Sequence, residues 1–193
     1  MPTAPPTETP TVAGVPGWFT YSDLYNRIVD DAPPNSWLVE VGVFHALSLR
    51  HLTHAAKAAD KNLTVVGVDH FRGSPEHRDH VASLPHGNLA GAALATLITA
   101  GVADDCTLIC APSVIAAKFV PDGSCYMVFL DGDHSHDAVK ADIRAWLPKV
   151  AVGGYLCGHD YFTFPGVRTA VHEAFGHKDW MCRDSESCWQ VQL

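Results

Sequence analysis

The 193-residue chain predicts an open α/β fold, and three observations carry that reading. Short apolar runs alternate with stretches whose apolar residues recur at helical spacing. The apolar runs are nearly continuous instead of alternating with polar residues, as expected of parallel strands covered on both faces. Clusters of Asp and His follow directly after two of those runs, Asp131-Gly132-Asp133-His134 after one and Gly158-His159-Asp160 after another. Open α/β sheets bind their ligands there, beyond the carboxyl ends of the strands.

Strands are expected at Trp37–Val41, 63–68, Cys106–Cys110, 126–130 and 155–157, and helices at 20–30, 45–59, 87–100, 135–147 and 167–175. Val139, Ile143, Trp146 and Leu147 share one helical face, as do Val167, Val171, Ala174 and Phe175; both stripes read as packing against a sheet. Two short runs, 179–182 and 188–192, close the chain with no long helix between them, which suits an antiparallel hairpin at the sheet's edge. Residues 1–17 are rich in Pro and Thr and carry Glu8 as their one charged side chain. Such a segment buries too little apolar surface to offset its ordering entropy, so a disordered tail is expected, followed by a single domain over 18–193. The long polar segment 70–88 reads as a flexible loop over the site, with His77, His80 and His86 as exposed loop residues.

Composition narrows the function classes. A hydrophobic content of 47% with 18% charged residues is ordinary for a soluble globular domain. The formal charge of −8 and the lack of a basic cluster argue against a nucleic-acid partner, since phosphate binding relies on Lys and Arg. No run approaches the ~18 apolar residues of a membrane helix. The first residues show neither a basic nor an apolar leader region, so no signal peptide is read and a cytoplasmic protein is expected. None of the six cysteines forms a C-x-x-C pair, and they read as buried free thiols in a reducing compartment, in preference to a Cys182–Cys188 bridge.

Two further motifs complete the candidate site. Val39-Glu40-Val41-Gly42-Val43-Phe44-His45-Ala46-Leu47-Ser48 runs from the first strand into a helix. Gly42 lets the backbone approach a ligand closely, although an ordinary tight turn explains it equally well, and the helix N-terminus offers N–H groups to an anion. Asp69 ends the second strand, where an acid accepts hydrogen bonds from ribose hydroxyls, although a capping role explains it equally well. Gly42 and Asp69 together suggest a nucleoside site.

The order Glu40-x-Gly42-x-x-x-Ala46-x-Ser48, then Asp69, Ser113, Asp131-x-x-His134 and His159-Asp160 resembles class I S-adenosylmethionine-dependent methyltransferases. Within that class the chain is most similar to the small-molecule O-methyltransferases grouped as family 24, and its layout is similar to the catechol-type metal-dependent enzymes. The resemblance spans roughly residues 18–193 and implies a single-domain Rossmann-like methyltransferase fold. That fold has a mostly parallel seven-stranded sheet, a C-terminal antiparallel hairpin and helices on both faces. It implies that Gly42 and Val43 line the methionine part of the cofactor, with Ser48 near its carboxylate and Glu40 supporting the loop. Asp69 would hold the ribose, His70 would lie beside the adenosine and Ser113 near the adenine. Asp131, His159 and Asp160 occupy the metal-binding positions of the catechol-type enzymes, Asp131 also counting as a catalytic and cofactor-facing residue. His134 occupies the general-base position, a lysine in those relatives.

Three departures stand out. Ala46 replaces the usual third glycine of the cofactor loop, Pro112 precedes Ser113 where an acid is more common, and His159 replaces a carboxylate. An imidazole ligand suits manganese, iron or zinc better than magnesium. The expected activity is O-methylation of a small hydroxylated acceptor with His134 as base, a divalent metal (Mg, Mn or another) and a homodimer as the default assembly. The alternatives are a metal-dependent hydrolase built on Asp131, His134, His159 and Asp160, which leaves Gly42 and Asp69 unexplained, and a non-catalytic cofactor-binding protein.

Overall fold

The computed structural model describes residues 11–12, 15–74, 77–177, 180–182 and 185–193. A two-residue ladder, β1 (Thr11–Val12) with β2 (Val15–Pro16), precedes the domain. The chain then runs α1 (Ser22–Asp31), β3 (Trp37–Val41), α2 (Leu47–Ala58), β4 (Thr64–Asp69), α3 (Arg78–Ser83), α4 (Leu89–Thr99) and β5 (Cys106–Cys110). The second half runs α5 (Ser113–Ala116), β6 (Cys125–Leu130), α6 (His136–Trp146), β7 (Val150–Gly158), α7 (Pro165–Phe175), β8 (Met181–Cys182) and β9 (Ser185–Gln192).

Seven strands form one sheet in the order β5-β4-β3-β6-β7-β9-β8. The first five are parallel and the last two antiparallel, as the sequence predicts. From β3 the chain winds outward through β4 and β5, then returns to the other side of β3 with β6. The carboxyl ends of β3 and β6 are therefore the point where strand order reverses, and a crevice opens there.

Strand periodicity decides which acids enter that crevice. Leu38 packs with α1, α2 and α4 on one face, whereas Val39 and Val41 pack with α5, α6 and α7 on the other. Side chains alternate along a strand, so Glu40 lies on the α1 side. Phe129 and Leu130 divide the same way, which sends the next residue, Asp131, to the α1 side as well.

Apart from small shifts at element ends, the observed elements depart from expectation in four places. β1 and β2 lie within the expected tail, and α5 is a short helix the sequence reading does not include. β7 and the 70–88 segment differ for physical reasons. β7 begins at Val150, ahead of the expected 155, and crosses Gly153 and Gly154 through an irregularity opposite β6. A Cβ at Gly154 would lie 2.8 Å from the carbonyl oxygen of Tyr126, so this glycine serves a close backbone approach within a strand. The 70–88 segment contains α3, a six-residue helix with no buried residue and hence no apolar stripe to reveal it. Asp179 of the expected hairpin, Pro75 and Glu76 of the loop, and residues 1–10 and 13–14 of the expected tail lie outside the described residues. Among the described residues no helix is long and apolar enough to cross a membrane. No disulfide joins any of the six cysteines.

Gly42 holds the switch point together. Its N–H donates to the Val68 carbonyl at 2.8 Å, and the Asp131 N–H donates to the Val41 carbonyl at 2.7 Å. The residue takes φ +94°, and a Cβ on it would stand 2.0 Å from the Asp131 carbonyl oxygen. The close approach at Gly42 is therefore to the backbone of the β6 turn, where the sequence suggests a ligand. Gly42→Ala should lower unfolding free energy by more than ~3 kcal/mol or prevent folding. Gly101→Ala also introduces a side chain at positive φ, but into open space. That variant should lose only ~1–2 kcal/mol. Urea unfolding of both separates steric overlap from backbone strain.

Candidate active site

The β3–α2 turn is anchored from below by two acids. Asp69 Oδ2 accepts the N–H groups of Val43 and Phe44, each at 2.9 Å, and its Oδ1 accepts that of Phe71 at 2.7 Å. Asp69 therefore holds the turn in shape, and three of its roughly four acceptor positions are filled. Glu40 is fully buried and accepts the Tyr25 hydroxyl at 2.7 Å and the Ser48 hydroxyl at 3.0 Å. Burial pushes its pKa up to about 8, with those hydrogen bonds opposing, so the carboxyl is largely neutral near pH 7.

Ala46, at the third-glycine position, adopts the left-handed conformation with φ 61° and is completely buried. The turn thus keeps a glycine-like shape with an alanine in it. Ala46 is also the N-cap of α2 and makes no side-chain capping bond. The first-turn amides of this 12-residue helix therefore face the crevice uncapped by a side chain, which suits a carboxylate ligand.

The sequence places His70 and Ser113 near a nucleoside. His70 Nδ1 accepts the Arg72 N–H at 3.0 Å, and the ring stays partly exposed. The Ser113 hydroxyl accepts Trp146 Nε1–H at 2.8 Å and also meets Asp142. Burial raises the Asp142 carboxyl to about 6.

On the other side of the switch point stand Asp131, His134, His159 and Asp160. His134 Nε2 lies 3.0 Å from Asp160 Oδ2, and its ring stacks on Phe164 at 4.2 Å and 19°. His159 Nδ1 faces Asp160 Oδ2 at 3.2 Å and Asp131 Oδ1 at 3.6 Å. Burial alone would discharge the His159 imidazole, but the two carboxylates outweigh it and push its pKa up to about 10. Burial would likewise raise the Asp160 carboxyl, yet the hydrogen bonds and charges of His134 and His159 hold it well below the usual carboxylate range. Asp131, His134 and Asp160 can each offer a ligand atom within 4.8 Å of the others, a donor set of two carboxylates and one imidazole. His159 stands beside this set and bridges the two acids.

Asp133 accepts the Ser135 N–H at 2.8 Å and starts the turn into α6, while His136 and Asp137 pair with each other at the helix surface. These three serve the helix start, as their position predicts.

Several contributors escaped the sequence reading. Tyr21 and Tyr25, one turn apart around the start of α1, donate hydroxyls to Asp131 Oδ2 (3.0 Å) and to Glu40 (2.7 Å). In sequence they look like ordinary core positions, and their rings are indeed buried. Their signal was a pair of phenols at i and i+4, which need partners when buried. His45 is also buried, and its Nε2 lies 2.7 Å from Nε2 of His80 on α3. Trp18, Phe44 and His77 pack around that pair, so His77 and His80 are half-buried where exposure was expected, while His86 is exposed.

A methyltransferase-domain family model, that of family 24, matches residues 39–161. The chain belongs to this methyltransferase family. No curated protein matches it by sequence. Solved structures share the fold. The O-methyltransferase NovP superposes with a TM-score of 0.69 at 18% identity, covering 89% of this chain and 78% of that one. The calicheamicin methyltransferase CalS11 gives 0.63 at 16% identity, covering 89% and 76%. The S-adenosylhomocysteine-bound methyltransferase PaMTH1 from Podospora anserina gives 0.65 at 12% identity, again covering 89% and 76%. The chain is thus an enzyme of the S-adenosylmethionine-dependent methyltransferase class, with the Rossmann-like sheet of that class.

The electrostatics predict an alkaline loss of stability. A histidine whose folded pKa is raised stabilises fully below its unfolded pKa near 6.5 and loses that contribution as pH rises through about 10. For Glu40 the raised carboxyl pKa means that the folded state binds the extra proton, so stability falls between about 4.5 and 8. Burial lowers the His45 pKa to about 4, which makes stability rise with pH up to about 6.5 and offsets Glu40 there. Unfolding free energy measured in EDTA should therefore decline from about pH 6.5 to about pH 10. Glu40→Gln should flatten the lower part of that decline and His159→Gln the upper part.

Proposed function

We propose that this methyltransferase transfers the methyl group of S-adenosylmethionine to a hydroxyl of a small molecule, with His134 as general base. The observation that carries the reading is the His134–Asp160 pair. An imidazole held at 3.0 Å by a carboxylate stands beside Asp131 at the switch point, across from the uncapped start of α2. An acid that orients a histidine and stabilises its charged form is a common arrangement for proton abstraction near neutral pH.

The residues fit the cofactor. The α2 N-terminus would take its carboxylate, with Gly42 and Val43 lining the methionine part, and the largely neutral Glu40 below the turn adds little opposing charge. Ser48 serves this pocket through Glu40. Asp69 keeps one acceptor position for a ribose hydroxyl while holding the turn, and His70 and Ser113 flank the adenosine. The cofactor supplies a sulfonium-bound methyl that moves to the acceptor oxygen as the carbon–sulfur bond electrons return to sulfur. His134 takes the hydroxyl proton.

The residues also fit a divalent cation, since Asp131, His134 and Asp160 converge and pair an imidazole with carboxylates, as manganese, iron or zinc prefer. When bound, such an ion lowers the pKa of the acceptor hydroxyl. Asp131 and Asp160 would hold it, with His159 beside them as a third candidate ligand once deprotonated. The small-molecule assignment is supported by the acidic charge of −8 and by similarity to structures described as O-methyltransferases, one of them a TDP-rhamnose 3'-O-methyltransferase. A cytoplasmic homodimer belongs to the same proposal.

Calorimetric titration of S-adenosylhomocysteine, with manganese and again with EDTA, should give micromolar or tighter binding. With an acceptor found by screening phenols and sugar nucleotides, His134→Ala should reduce kcat by about 10²–10⁴-fold with little change in S-adenosylhomocysteine affinity. Undetectable binding, or full turnover by His134→Ala, would overturn the reading.

A further inference from the structure

We propose that Tyr21 is a positioning residue for the Asp131 carboxylate, and so ties the segment before α1 to the reacting centre. The inference rests on the assignment of Asp131 to that centre. Tyr21 is 1% exposed, and its hydroxyl donates to Asp131 Oδ2 at 3.0 Å. Its ring is clamped on three sides: stacked on Phe129 at 4.7 Å, met edge-on by Phe19 at 5.0 Å, and set against His159 at 5.0 Å. A phenol so packed holds its hydroxyl oxygen in place, within reach of Asp131 Oδ2 and also of Ser48.

The terminal torsion of an aspartate is broad, so Asp131 has no strong orientation of its own. A fixed donor on Oδ2 selects one plane for the carboxylate and leaves Oδ1 turned to His159 Nδ1. Asp160 Oδ2 faces the same nitrogen and His134. Tyr21 thus orients an oxygen that meets the acceptor or an ion without touching either itself. Outer-shell donors of this kind are worth about 10–100-fold in metal affinity or activity.

Tyr25 provides the internal control. One turn along, it makes the same type of hydrogen bond to Glu40, beneath the cofactor turn. The two phenols flank the start of α1 and share a core but bond different acids. Removing either hydroxyl should therefore disturb a different ligand, which a general loss of packing would not do.

The test uses the full chain with Tyr21→Phe and Tyr25→Phe, both of which keep the rings. Three quantities are read: manganese affinity by electron paramagnetic resonance, S-adenosylhomocysteine affinity by calorimetry, and the His159 side-chain NMR signals in EDTA, assigned with His159→Gln. Tyr21→Phe should weaken manganese about 10–100-fold, leave S-adenosylhomocysteine within about threefold, and move the His159 signals. Tyr25→Phe should weaken S-adenosylhomocysteine and leave the other two unchanged. Wild-type manganese affinity and unmoved His159 signals in Tyr21→Phe would overturn the proposal, as would identical changes in both variants. If the wild type holds no manganese that Asp131→Asn removes, the metal assignment fails by itself, and the His159 signals still decide the role of Tyr21. Should Tyr21→Phe not fold, fluorotyrosine labelling of the native chain answers instead. The Tyr21 fluorine signal must shift on Asp131→Asn, and an unmoved signal overturns the proposal.

Discussion

The contact between the Gly42 and Asp131 backbones is the constraint on which the site depends. Two parallel strands end at one level, and their turns touch with room for no side-chain carbon on the first. That contact sets the distance between the cofactor turn, which leaves β3, and the acid–histidine cluster, which leaves β6. Methyl transfer requires donor carbon and acceptor atom in line and close together, and much of the rate comes from that placement. A rigid pair of strand ends supplies it before either ligand arrives. Widening the gap by even one methyl would move the two halves of the chemistry apart.

Four acids surround this point, and their surroundings give them different work. Glu40 is wholly buried and carries two hydroxyl donors, so it is a largely neutral spacer under the turn. Asp69 receives three backbone N–H groups and shapes the turn. Asp131 and Asp160 share the cationic His159, which balances charge that would otherwise repel across the cluster. The departure from a carboxylate at position 159 therefore changes the net charge of the centre and gives it an internal cation. A metal entering here competes with a proton already in place, whereas a carboxylate at 159 would leave the centre more negative and more open to a hard cation.

Periodicity made most of the fold legible. β3, β5 and β6 are short apolar runs bounded by turn residues, and the stripes of α6 and α7 pack where their spacing says. The clusters at Asp131 and His159 were legible because the carboxyl end of a strand is where an open sheet exposes polar groups. What escaped notice depends on contacts distant in sequence. Tyr21 meets Asp131 across 110 positions, and nothing local separates a phenol with an acid partner from a phenol filling the core. His45 and His80 escaped for the same reason, being neighbours only once α3 folds back over the cofactor turn. β7 was read as too short because a glycine pair has the same appearance in a turn and in a bulge.

The family match ends on either side of what completes this site. Residues 39–161 contain the cofactor turn, Asp69 and the whole acid–histidine cluster. Trp18, Tyr21 and Tyr25 precede it and reach back into it, and Trp18 joins Phe44 and His77 in one aromatic group. The shared core carries the features every methyl transfer needs. The segment before it and α3 pack aromatic and imidazole rings against Phe44 at the edge of the cofactor turn. These outer elements can change shape without moving the Gly42–Asp131 contact, whereas a change in the strand ends cannot.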